Sequence, residues 1–118
     1  MLLWIIVIVV SVLLDFVTKR LVAGGMELYE SRVIIKNVLE LEYVRNEGAA
    51  WGMLSNHRWV FMTITAIAII VLPIILYKYR KLHFLFGFSL SLIIGGAIGN
   101  MIDRVCLGYV IVFIYLPF

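Results

Sequence analysis

Cysteine is nearly missing from this chain. Cys106 is the only one, so no disulfide can form within it, and a single thiol does not report a redox compartment. Charge is also scarce. Asp, Glu, Lys and Arg make up 14% of the residues, where soluble domains carry about a quarter. The formal net charge of +3 is dispersed, and no basic run is long enough to follow a phosphate backbone, which argues against a nucleic-acid partner. His57 and His83 each stand alone beside an apolar run, without a second ligand at helical spacing, so no metal site and no cofactor are expected. Cys106 has no evident base partner and reads as a packed, small apolar residue. What remains is apolar: 64% of the residues are hydrophobic and the mean hydropathy is +1.11. That composition predicts an integral membrane protein made of one domain, residues 1–118.

The first apolar run does not read as a cleaved leader. No Lys or Arg precedes it, no A-x-A site follows, and Leu21-Val22-Ala23-Gly24 lacks the cysteine that a lipobox needs. It is expected to stay as a membrane span over residues 2–22, closed by Gly24-Gly25. Asp15 and Lys19 lie four apart on one helical face. An interfacial ion pair, with Lys19 and Arg20 snorkelling to headgroups, accounts for the cations. It accounts less well for Asp15, because an acid ending an apolar run usually faces the protein interior. Residues 24–58 form the polar stretch, and Val33 to Val44, with Leu39-Glu40-Leu41-Glu42-Tyr43 alternating, predicts strands. These strands are expected to lie on the membrane surface, because an open sheet edge cannot sit in hydrocarbon.

Two further spans follow, over 59–77 and 83–101. Pro73 falls inside the former and is expected to kink it. The latter is rich in small residues, with Gly95 and Gly99 forming a small-xxx-small pair for close helix packing. Between them Lys78-Tyr79-Arg80-Lys81 is a compact basic turn, which favours the cytoplasm. The N-terminus is then cytoplasmic. Asp15 to Lys19, Arg45 to Gly52 and Asn100 to Arg104 then meet at the opposite face. Three polar clusters at one depth, with glycines beside them, read as a site rather than as separate anchors.

These residues resemble a known family. Asp15-x-x-Thr18-Lys19, Tyr43-Val44-Arg45-Asn46-x-Gly48-Ala49-Ala50-x-Gly52, Gly95-Gly96-Ala97-Ile98-Gly99-Asn100-x-Ile102-Asp103-Arg104 and Gly108-x-Val110-Ile111-x-Phe113 are similar, in order, to the motifs of the lipoprotein signal peptidases. The resemblance implies a mainly α membrane protein with four transmembrane helices and a small extracytoplasmic β-cradle, in the bacterial cytoplasmic membrane. It implies cleavage of prolipoproteins just before a diacylglyceryl-modified cysteine, in contact with membrane lipids, by a pair of aspartates. One aspartate belongs to G-x-V-x-D-F, the other to a later N-x-A-D. Two close carboxylates share a proton, so one activates water while the other protonates the carbonyl oxygen.

The chain departs from that pattern at the catalytic positions. Val112 stands where the resemblance puts the first aspartate, and the sequence stops at Phe118 before an N-x-A-D pattern or a fourth span. The expectation is three spans, a truncated family member with no intact catalytic residue, and no proteolysis by this chain. The alternatives are a membrane remnant or lipopeptide-binding protein without activity, and, more weakly, a small transporter, for which charges inside the second and third spans would be needed. The small-residue face of the third span is expected to lack its partner, leaving the chain poorly stable. Asp15, Lys19, Asn46, Gly48, Gly96, Asn100, Asp103 and Arg104 remain as candidates to bind substrate or support the site. Asp103 is expected to pair with Arg104. Asn46 and Asn100 would orient substrate backbone or loops, Arg104 would hold a loop or lipid phosphate, and Gly48, Gly96 and Gly99 would permit close approach.

Overall fold

The computed structural model describes residues 1–46 and 58–117. Gly48, the rest of the Gly48 to Gly52 motif and His57 lie outside the described residues. The elements, in order, are α1 (Leu2–Gly25), β1 (Ser31–Ile35), β2 (Leu39–Asn46), α2 (Arg58–Lys78), α3 (Phe84–Cys106) and β3 (Val110–Tyr115). Among the described residues, the three helices are each long and apolar enough to cross a membrane. Each is built on a long, mainly apolar run, and at 1.5 Å per residue a helix of this length exceeds a hydrocarbon core of about 30 Å.

Helix α1 runs to Gly25, three residues past the expected end, and Met26 closes it in an extended conformation, its amide bonding to Val22 O at 2.9 Å. Pro73 lies within α2 without ending it. His83 caps α3: its Nδ1 accepts from the Leu85 amide at 3.0 Å. Helix α3 continues to Cys106 rather than stopping near residue 101, so Asn100, Asp103 and Arg104 are helical and share one face. Cys106, in its last turn, is exposed and not packed, a correction to the sequence reading.

Helices α1 and α3 run parallel. Trp4 covers Gly87, Ser11 covers Gly95, and Asp15 covers Gly99. The small-residue face of α3 therefore has a partner in α1, contrary to the expectation that it would be bare. A Cβ at Gly95 would lie 2.7 Å from Ser11 Oγ, and one at Gly99 would run into the Asp15 carboxylate. At Gly96 a Cβ would meet nothing within 4 Å, so close packing does not require that glycine among the described residues. The membrane core joins all three helices through Trp4, Leu76, Leu90 and Ile94, with Val7, Ile8, Leu72 and Ile98 around them.

The strands form one antiparallel sheet in the order β1-β2-β3. β1 and β2 are a hairpin whose turn places Asn37 at φ 63°, a left-handed conformation that asparagine tolerates. The third strand was not part of the expected cradle, which was confined to 24–58. It comes from beyond α3, pairing Asn46 with Val110, Arg45 with Ile111 and Val44 with Val112. Gly108, at φ 86°, makes the turn from helix to strand that a side chain would strain. Met26, Tyr43 and Ile111 form a second buried cluster against Val22 and Ala23, which seats the sheet on the C-terminal end of α1.

Candidate functional site

The buried stripe of α1 carries Trp4, Ile8, Ser11, Asp15 and Lys19 toward α3, so the helix that is apolar in its first half delivers an acid and a cation to its far end. There Lys19 is 4% exposed. Its ammonium lies 2.9 Å from Asp15 Oδ2 and 3.0 Å from Asp103 Oδ2, and donates to Asn100 Oδ1 at 3.2 Å. The Asp15 contact is an ion pair by distance but is not aligned as a hydrogen bond, so Oδ2 has a charge partner without a directional one. Lys19 does not snorkel to headgroups. A lysine buried to this degree needs its acids, because an unpaired ammonium out of water costs several kcal/mol (about 3–5 when one partner is deleted).

Asp103 is the centre of the cluster, at 1% exposed. It takes Lys19 on one oxygen and Arg20 Nη2 on the other, at 3.3 Å. Its Oδ2 also accepts from the Ile111 amide at 3.1 Å. The expected Asp103–Arg104 pair gives way to this arrangement: the Arg104 guanidinium lies 5.4 Å over the Phe61 ring of α2. Arg20, read from sequence only as a headgroup anchor, is a member of the cluster. The signal for its neighbour was available, since Lys19 falls on the same helical stripe as Trp4 and Asp15. Nothing in the sequence pointed to the Ile111 amide, which becomes a partner only when β3 folds back on α3.

Asp15, Lys19, Asn46, Asn100 and Arg104 meet Val110 to Ile114 of β3 around a cleft of about 370 Å³. Of the candidates, Asp103 lies behind that wall rather than on it, Gly96 is not among the lining residues, and Val112, 36% exposed, lines it directly. The apolar strand and the polar helix ends face each other across the cleft. Further along the sheet Arg45 stacks on Tyr109, 4.6 Å from its ring centre, and donates to the Tyr43 hydroxyl at 3.5 Å. That hydrogen bond pushes the Arg45 pKa up from its ordinary value, so it is a fixed cation at the sheet surface.

The comparisons with known proteins agree with this geometry. The profile of signal peptidase (SPase) II matches residues 7–118. A lipoprotein signal peptidase of Symbiobacterium thermophilum is 43% identical over 110 residues, covering 93% of this chain and 72% of that protein. A bacterial membrane enzyme solved in meso at 2.3 Å resolution superposes with a TM-score of 0.88 at 37% identity, covering 96% of this chain and 69% of the other. A second such structure, at 1.9 Å, gives a TM-score of 0.83 at 37% identity, with 96% and 73% covered. With three membrane-length helices, a three-stranded cradle and these matches along almost its whole length, the chain belongs to the signal peptidase II family, the lipoprotein signal peptidases.

Proposed function

We propose that the cleft between the C-terminal ends of α1 and α3 and strand β3 receives a prolipoprotein, and that this chain does not itself cut it. The observation that carries the reading is Val112, which lines the cleft where the family resemblance calls for an aspartate. A valine can neither take a proton from water nor give one to a carbonyl oxygen. The acids nearby are committed elsewhere. Asp103 is held by two cations and a backbone amide, and Asp15 is paired with Lys19.

The other groups fit a binding role. The Asn46 and Asn100 amides line the cleft where they can orient a peptide backbone, and Arg104 offers a cation to a lipid phosphate or to the diacylglyceryl-modified segment. In this reading the protein is a multi-pass protein of the bacterial cytoplasmic membrane. Its N-terminus and the basic turn at residues 78–81 are cytoplasmic, its sheet is extracytoplasmic, and it contacts membrane lipids.

The test is cleavage of a purified, diacylglyceryl-modified prolipoprotein by the reconstituted chain and by Val112→Asp. No product is expected from the unmodified chain, and signal-peptide release by it would overturn the inactive reading. Release only by Val112→Asp would show that position 112 alone withholds activity. Binding of the same substrate, followed by fluorescence anisotropy, is expected with the unmodified chain and is expected to weaken with Asn100→Ala or Arg104→Ala. Unchanged binding in both variants would remove those residues from the site.

A further inference from the structure

Strand β3 has one edge with no strand beside it. In the order β1-β2-β3 only its β2 side is paired, among the described residues. The backbone N–H and C=O groups of a strand point to its two sides by turns, residue by residue. The Ile111 amide donates to Asp103 Oδ2 of α3 at 3.1 Å, so the backbone of Ile111 points away from β2. The residues that bond to β2 are then Val110, Val112 and Ile114, opposite Asn46, Val44 and Leu41. The register shift between Leu41 and Val44 adds its extra residue to β2, so the alternation along β3 is unbroken. Phe113 and Tyr115 follow the parity of Ile111 and turn their N–H and C=O groups to the open edge.

That edge faces the cleft. Asp103, which meets it at Ile111, shares one helical face of α3 with Asn100 and Arg104, and those two line the cleft together with Val110 to Ile114. No residue of β1, the other edge strand, lines it. Asp103 also closes one end of the edge. Its carboxylate takes the Ile111 N–H, where an added strand would otherwise place a carbonyl. The open groups are therefore the Ile111 C=O and both backbone groups of Phe113 and Tyr115. Residues 111–115 span about 13 Å at roughly 3.3 Å per residue, room for about four residues of an extended chain. An unpaired strand edge is a template for another strand.

We propose that the peptide in the cleft joins the sheet as a fourth strand, pairing its backbone with the open edge of β3 between Ile111 and Tyr115. The occupant is an extended segment of a prolipoprotein, so the proposal rests on the reading of the cleft as a prolipoprotein site. Pairing through the main chain supplies affinity that depends little on side chains, which suits a site that receives substrates of differing sequence. A strand added there lies about 4.8 Å from β3, so its backbone runs alongside position 112. Asp103 sets where the pairing stops, because the edge donor at Ile111 is already taken.

The experiment measures binding of the full chain, in detergent, to a fluorescent synthetic peptide that carries a diacylglyceryl-modified cysteine and the residues on either side of it. The residues around that cysteine are N-methylated one at a time, each change removing one N–H. A fourth strand turns every second N–H toward β3, so two positions two residues apart are expected to lose at least about fivefold in Kd and the one between them less than about twofold. On the protein, Phe113→Pro deletes an open-edge N–H without touching the β2 ladder, whereas Phe113→Ala deletes the ring and keeps the N–H. The proline variant is expected to bind at least about fivefold more weakly than the alanine variant. Normal binding of the unmethylated peptide with no alternation in the scan would overturn the fourth strand and leave the cleft reading standing. No binding of the unmethylated peptide would overturn both. Alternation with equal binding by the proline and alanine variants would put the strand elsewhere and remove it from β3. Energy transfer between labelled copies that Phe113→Pro abolishes and the peptide does not displace would overturn the proposal in favour of a second copy on this edge. Should Phe113→Pro fail to fold, the methylation scan on the unmodified chain decides.

Discussion

Asp103 and Lys19 depend on each other. Asp103 is ion-paired with two cations and accepts hydrogen bonds from Arg20 and one amide while almost wholly out of water, and Lys19 reaches two acids and Asn100. Replacing Lys19 by Met leaves acids facing an apolar side chain and is expected to lower stability by about 3–5 kcal/mol. The double variant with Asp103→Leu is expected to be less destabilised than the sum of the single changes, read from a thermal unfolding cycle in detergent. Additive losses would mean that the two residues are not coupled. The glycines separate in the same way. Gly99→Ala drives a methyl group into Asp15 and is expected to cost about 1–3 kcal/mol, whereas Gly96→Ala points into open space and is expected to be neutral or to stabilise α3 by up to about 1 kcal/mol. Equal melting temperatures for the two would contradict the packing.

Strand β3 is held by two unlike attachments. Its Ile111 side chain, 3% exposed, fills the cluster with Met26 and Tyr43, and its Ile111 amide is taken by Asp103. Ile111→Ala removes the first and keeps the second. It is expected to destabilise by about 2–4 kcal/mol and to speed amide exchange along β2 and β3 while leaving α2 unchanged. Uniform acceleration in all elements would mean that the sheet and helices unfold together. The hairpin turn is a milder test. Asn37→Gly should be tolerated at φ 63°, and Asn37→Val should cost about 1–2 kcal/mol because a β-branched residue resists the left-handed region.

Across the molecule, the parallel pairing of α1 with α3 puts the ends of both helices, the sheet and the cleft on one side, and the turn after α2 on the other. With Cys106→Ser as background, a cysteine replacing Lys36 is expected to react with a membrane-impermeant thiol reagent added to intact cells. One replacing Tyr79, in the basic turn, is expected to react only after the cells are opened. The reverse pattern would invert the proposed topology without changing the fold.

The three helices and the meeting of Asp15, Lys19, Asn46, Asn100 and Arg104 at one end of them were legible in the sequence because both are written in local chemistry. Runs of apolar residues long enough to span a bilayer have no alternative that satisfies their backbone, and Asp15, Asn100 and Asp103 end such runs where an acid or amide needs a polar neighbour. The motifs around Asn46 and Gly95 to Arg104 carried the family resemblance. Which groups those residues choose as partners was not legible. Asp103 has an arginine beside it in sequence, yet its carboxylate goes to Lys19 and Arg20 on another helix and to an amide of β3. Nothing in residues 110–115 indicated pairing with β2, since strand pairing is settled by surfaces distant in sequence. The helix register does the same for glycines. Gly95 and Gly99 are needed because α1 crosses over them, and Gly96, one residue away, is not. Composition and apolar run length thus settle that the chain sits in a membrane, while long-range packing alone decides that Val112 faces the cleft and that a buried cluster of charges holds its strand in place.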